Sequence, residues 1–189
     1  MIMSIKNDLK RDKPQKRTID VKGFLGLLSF STILPLNIHT SIEDMAKFTW
    51  LWPIIGAFIG IVIGLLGFIM MDLIHISQLI SAGLIFSFTI WFTGFHHLDG
   101  LIDFGDALMA HGDPQKRISI MRDSRIGTGS LAFFFIVAII SFASIASAPI
   151  SFIFYILLIS EIAAKIGLIT CCTFSRPFTD GTGKFFIEA

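Results

Sequence analysis

Three long stretches of this chain carry no Asp, Glu, Lys or Arg: Phe48 to Met71, Leu73 to Phe95, and Ile126 to Ser160. A helix of about 20 apolar residues crosses the hydrocarbon of a bilayer, so each of the first two runs predicts one crossing. The third is long enough for nearly two. Pro149 marks its break, because proline lacks the helical N–H and clashes with the preceding turn. The pattern thus predicts transmembrane helices over residues 50–71, 74–94, 129–147 and 151–172, arranged as two hairpins. A shorter run, Gly23 to Leu36, is interrupted by Ser29, Ser31 and Thr32 and stopped by Pro35; its 14 residues fall short of a span and predict an interfacial or re-entrant helix. The expected fold class is all-α: a polytopic integral membrane helical bundle of about four transmembrane helices plus that amino-terminal helix. Residues 23–189 are expected to form one membrane-embedded domain behind a tail of residues 1–22.

Composition agrees with this reading. Of the chain, 53% is apolar and 15% charged, against about 25% charged in soluble domains. A net charge of +1 gives no support for a nucleic-acid partner. Charge placement predicts orientation. The tail carries Lys6, Lys10, Arg11, Lys13, Lys16, Arg17 and Lys22 against Asp8, Asp12 and Asp20, which by the positive-inside rule makes it cytoplasmic. No cleavable signal peptide is expected from so polar a start. The polar loop at 96–125 and the segment holding Arg176 and Lys184 return to the tail's side, while the outer turns around Asp72 and Pro149 contain no Lys or Arg. The catalytic loop, 95–128, is therefore expected on the cytoplasmic face of the cell membrane. The adjacent Cys171 and Cys172 cannot reach ordinary disulfide geometry without strain and read as packing residues.

The chemistry lies in that loop. Asp99, Asp103 and Asp106 stand at i, i+4 and i+7 and share one helix face. Three carboxylates so placed repel one another, and a divalent cation relieves the repulsion. Oxygen ligands favour Mg²⁺ or Mn²⁺ over zinc, and His96 and His97, being adjacent, diverge by about 100° on a helix. A basic block follows, with Lys116, Arg117, Arg122 and Arg125. Arginine grips phosphate through two parallel hydrogen bonds, which lysine cannot do. Arg117, Arg122, Asp123, Ser124, Arg125 and Arg176 are the candidate phosphate-binding residues, and Gly100 gives a phosphate close access to the helix backbone. A metal-binding acidic face beside a basic cluster suits transfer of a phosphate group to an alcohol. The base for that alcohol is one of the aspartates, Asp106 foremost, or His97. Glu161 and Lys165, at i and i+4 inside the last span, read either as a packed ion pair or as part of a polar cavity.

The string HHLDGLIDFGDAL followed by IMRDSRIGT resembles the adenosylcobinamide-GDP ribazoletransferase family, also called cobalamin-5'-phosphate synthase. Phe24, Leu25 and Pro35 near the start, and Arg176, Pro177, Gly181 and Gly183 near the end, extend the likeness. Ala107 stands where the family usually has glycine, and the family continues beyond residue 189 through further hydrophobic helices, so the chain is expected to be carboxyl-terminally incomplete. The resemblance implies the last assembly step of the cobalamin nucleotide loop. There alpha-ribazole, or its 5'-phosphate, attacks adenosylcobinamide-GDP, giving adenosylcobalamin or its phosphate and releasing GMP, with Mg²⁺ held by Asp99, Asp103 and Asp106. A homo-oligomer, or a complex with other corrinoid-pathway enzymes, joins the substrates and the lipid bilayer among the expected partners. A CDP-alcohol phosphotransferase also starts its acidic cluster with Asp-Gly, but it expects Ala-Arg soon afterwards, and here Leu101, Ile102 and Asp103 follow. A divalent-cation transporter would set acidic or polar ligands inside several spans, whereas Asp99 to Asp106 sits at a span's end and only Glu161 lies deep.

Overall fold

The computed structural model describes residues 21–123, 125–177 and 181–189. The basic tail up to residue 20, Ser124, and residues 178–180 lie outside the described residues. Every regular element among the described residues is a helix: α1 (Val21–Ser31), α2 (Ile42–Ala46), α3 (Trp52–Gly67), α4 (Gln78–Phe92), α5 (His96–Met109), α6 (Pro114–Met121), α7 (Thr128–Ser147), α8 (Ile153–Phe174) and α9 (Gly183–Glu188). Short 3₁₀ turns lead into α3 and α8, and a π-helical turn, Phe68–Leu73, extends α3. With these extensions, Thr49–Leu73, Thr128–Ser147 and Ile150–Phe174 are each long and apolar enough to cross a membrane. The protein is an all-helical membrane protein.

The second expected span is the one that differs. Helix starts at Gln78, not residue 74, because His75 takes a left-handed φ of +60° and interrupts the winding. At 15 residues α4 passes as a span only together with α5, from which it is bent by 93°. Two successive left-handed residues make the bend, Gly94 at φ +68° and Phe95 at φ +63°. Glycine adopts this conformation freely, whereas phenylalanine pays a steric penalty there.

The core joins α3 to α8. Gly56, Gly60 and Gly64 recur every fourth residue on one face of α3, and a Cβ on each would meet Glu161 O at 2.7 Å, Leu158 Cα at 2.9 Å and Phe154 O at 2.9 Å. Small residues at this spacing let two membrane helices touch backbone to backbone, which is where association in lipid gains its contact energy. Ile55, Ile59 and Ile63 of α3 and Ile85 of α4 are fully buried alongside.

The long helices pair as α3 with α8 and α4 with α7, so α7 and α8, which the sequence pattern joins in a hairpin, pack on other helices instead of on each other. Gln78 Nε2 donates to Ala148 O at 2.6 Å, tying the start of α4 to the end of α7 at the outer turns. At the opposite end the polar segments gather. Ile33 N donates to Phe92 O at 2.9 Å, Phe30 stacks on His96, and Phe186 of α9 stacks on Trp52. The short amino-terminal helix α1 therefore packs at this end, where the chain also begins α2 with a Ser41 cap: its hydroxyl accepts from Asp44 N at 3.1 Å.

Candidate active site

The acidic face forms on α5 as its spacing predicts, but its three carboxylates have different surroundings. Asp99 is exposed, and Asp103 and Asp106 are half-buried. Asp106 reaches across to the start of α7. There Gly127 N donates to its Oδ2 at 2.7 Å, Ser130 N to Oδ1 at 2.9 Å, and Ser130 Oγ to Oδ2 at 2.5 Å. The first N–H groups of a helix lack intrahelical partners, so Asp106 caps α7 from a different helix. The Ser130 hydroxyl, followed by the Ser130 and glycine N–H groups, holds its pKa below the ordinary carboxylate value. Asp103 goes the other way: partial burial, then the charges of Asp99 and Asp106, raise its pKa.

This clamp explains the glycines of the second motif. A Cβ on Gly127 would collide with the Asp106 carboxylate, and one on Gly129 would come within 3.0 Å of Asp106 Oδ1 and Gly105 O. The sequence reading missed Ser130, which is fully buried. A hydroxyl residue directly ahead of an apolar run is a helix-start signal, and that signal was available. Gly100 is exposed, and an added Cβ would meet nothing within 4 Å, so its backbone is open to a ligand.

The second motif is drawn to the same place. Asp106, Asp123, Arg125 and Gly127 line one shallow hollow of about 450 Å³. Arg125 is held there by Asp123: its Nε lies 3.0 Å from both carboxylate oxygens and its Nη2 2.5 Å from Oδ2. The Arg125 side chain is 88% exposed, so its remaining N–H groups face solvent. Arg122 is exposed near the start of this loop.

Three predicted residues lie elsewhere. His97 is about 160° from Asp99 around α5, given 100° per residue. It turns toward α8, where its Nε2 accepts a hydrogen bond from Lys165 Nζ at 2.6 Å. Arg117 lines a separate hollow with Phe104 and Leu108, on the face of α5 away from the aspartates. Arg176 follows α8, exposed to solvent. Nor do Glu161 and Lys165 form an ion pair among the described residues; Lys165 turns to His97 instead.

As the side chains stand, no three His, Cys, Asp or Glu groups among the described residues converge on one point. A hard cation that keeps most of its water needs only one or two carboxylates plus substrate phosphate. Asp99 and Asp103 offer that pair, and the raised proton affinity of Asp103 marks a place that favours positive charge.

Comparison with known proteins follows the same residues. A family model described as cobalamin-5-phosphate synthase matches residues 23–189. Relatives named adenosylcobinamide-GDP ribazoletransferase include one from Methanosarcina barkeri, 30% identical over 82% of this chain and 59% of its own length. One from Methanococcoides burtonii is 30% identical over 89% of this chain and 67% of its own, and one from Saccharolobus islandicus 31% identical over 88% and 66%. This chain thus spans about three fifths of the Methanosarcina relative. No solved structure matches it. A match running from the first apolar helix through both polar motifs to the last residue leaves one assignment: the chain belongs to the cobalamin-5-phosphate synthase family.

Proposed function

We propose that the chain carries the transfer site for the last assembly step of the cobalamin nucleotide loop, in the cell membrane and facing the cytoplasm. Alpha-ribazole, or its 5'-phosphate, supplies the alcohol. Adenosylcobinamide-GDP supplies the phosphate, and GMP leaves. The observation that carries this reading is the Asp106 clamp, which fastens the acidic helix to the loop bearing Arg125 and gives the two polar motifs one shared hollow.

In this reading Asp99 and Asp103 hold Mg²⁺. The ion, when bound, neutralises charge on the pyrophosphate and stabilises the departing GMP. Arg125 grips a phosphate oxygen pair with the N–H groups that Asp123 leaves free, and Asp123 fixes the direction of its fork. Asp106 acts as a positioning residue. With its oxygens taken by three donors and its proton affinity lowered, it is poorly suited to accept the alcohol's proton. Gly100 leaves the first turn of α5 open to the substrate.

The cytoplasmic orientation rests on charge. Every Lys and Arg among the described residues sits at the α5 end of the bundle or, in the case of Lys165, inside it, and the outer turns have none. The direct test incubates membranes containing the protein with adenosylcobinamide-GDP and alpha-ribazole. GMP release together with a complete corrinoid is expected; release of neither, in a chain that inserts normally, would refute the reading.

A further inference from the structure

On the side of α5 away from the aspartates, α4, α5, α7 and α8 surround a cavity of about 430 Å³. Most of its wall is apolar, with Phe86 and Phe134 among the lining residues. Two charged side chains of α8 also face it, Glu161 and Lys165. Glu161 is the ninth residue of the 22 in α8, close to the middle of a span. Ionisable groups at that depth are costly and are retained for a purpose.

Residues four apart on a helix, glutamate first, ordinarily pair. Here they do not. Lys165 is 4% exposed and gives one of its three ammonium hydrogens to His97 Nε2. Among the described residues the carboxylate of Glu161 has no hydrogen-bond or ion-pair partner and Lys165 has only His97; the two charges act on each other at longer range, and both side chains line the cavity. A gap between a donor and an acceptor, walled by hydrocarbon, selects sharply among ligands. A purely apolar molecule leaves both groups desolvated and unsatisfied. An anion answers Lys165 but is repelled by Glu161, and a cation does the reverse. An uncharged group with an acceptor beside a donor satisfies both; a hydroxyl must do so through one oxygen, whereas a primary carboxamide carries acceptor and donor on separate atoms and so suits two side chains too far apart to form an ion pair. The volume is ample, since a cavity of about 150 Å³ already admits benzene and ligand pockets begin near 300 Å³.

We propose that this cavity binds an uncharged ligand with a flat apolar body and a primary carboxamide. The amide carbonyl accepts from Lys165 Nζ, and the amide N–H donates to Glu161. His97 orients the lysine from above. The site is separate from the acidic face and does not depend on the reaction assigned to it.

Four fluorinated benzenes of similar size test the proposal, with the full chain in lipid nanodiscs and binding read by ¹⁹F NMR. 4-Fluorobenzamide should bind at least tenfold more tightly than 4-fluorobenzoate, 4-fluorobenzylamine or 4-fluorotoluene. Lys165→Met and Glu161→Leu should each shrink that preference below threefold, and Ala138→Phe, which fills the cavity from α7, should abolish binding. Asp103→Asn should leave it unchanged, which separates this site from the transfer reaction. Equal binding of 4-fluorotoluene and 4-fluorobenzamide to the unmodified chain would overturn the proposal, even where a variant fails to fold. So would undiminished amide binding in Ala138→Phe.

Discussion

At the scale of single residues, the aspartates of one sequence pattern differ in their surroundings, Asp99 being exposed and Asp103 and Asp106 half-buried. Asp103 is partly buried and sits between two like charges, so its ionisation costs more in the folded chain than in the unfolded one. The sign follows from its raised pKa: stability is fullest while Asp103 is protonated and falls as pH rises through its folded value. A bound cation restores it. Mg²⁺ should therefore raise the melting temperature at pH 7 by about 2–4 °C for about 1 kcal/mol of linkage. Asp103→Asn should abolish that response while raising the metal-free melting temperature, both read by thermal scanning fluorimetry. The same variant should lower GMP release at least a hundredfold, about 3 kcal/mol of lost transition-state stabilisation. Asp106 has the opposite sign. Its lowered pKa supports folding above the ordinary carboxylate range and is lost as pH falls through the folded value. Asp106→Asn should depress turnover and melting temperature together while leaving the Mg²⁺ concentration for half-maximal rate unchanged; a shifted Mg²⁺ requirement would make Asp106 a ligand. Arg125→Lys should cost roughly tenfold in rate, because charge survives but the paired hydrogen bonds do not. Asp123→Asn, which frees the Arg125 fork, should raise KM for adenosylcobinamide-GDP more than it lowers kcat.

Among the elements, those set by hydrophobic period were legible from sequence and those set by contact were not. Charge-free runs located α3, α7 and α8 to within a few residues of residues 50–71, 129–147 and 151–172. The i, i+4, i+7 spacing placed the aspartates on one face of α5. The late start of α4 was not legible, because a left-handed His75 depends on how the outer turn closes. His97 was grouped with the acidic residues for want of one step of geometry: two residues from Asp99 means the far side of the helix, where it meets Lys165. The glycine stripe of α3 was present in the sequence and went unread. Its consequence is testable. Gly60→Leu drives a side chain into the Leu158 backbone and should destabilise the α3–α8 contact enough to lose the folded protein on extraction into mild detergent. Gly167→Leu, on α8 where an added Cβ meets nothing, should be tolerated.

For the whole molecule, the long helices bring the basic segments among the described residues to one end, so one topology experiment tests the full arrangement. A cysteine replacing exposed His111, in a variant lacking Cys171 and Cys172, should resist an impermeant thiol reagent in intact cells and react in inverted vesicles. Labelling from outside would reverse the orientation proposed from charge.

The bond between His97 and Lys165 fixes more than a side chain. Lys165 lies nine residues before the end of α8 at Phe174, so the first turn of α5 is anchored about 13 Å below that end, at 1.5 Å per residue. The 15 residues of α4 rise only about 22 Å, against a hydrocarbon layer of about 30 Å. The acidic helix is thus hung at a fixed depth from a short tether. Bilayer thickness is then expected to set how much water reaches the aspartates, with acyl chains around them in a thick membrane and headgroups in a thin one. Turnover in vesicles should fall severalfold as the lipid chains lengthen from 14 to 22 carbons, which makes the host membrane itself a control on the rate.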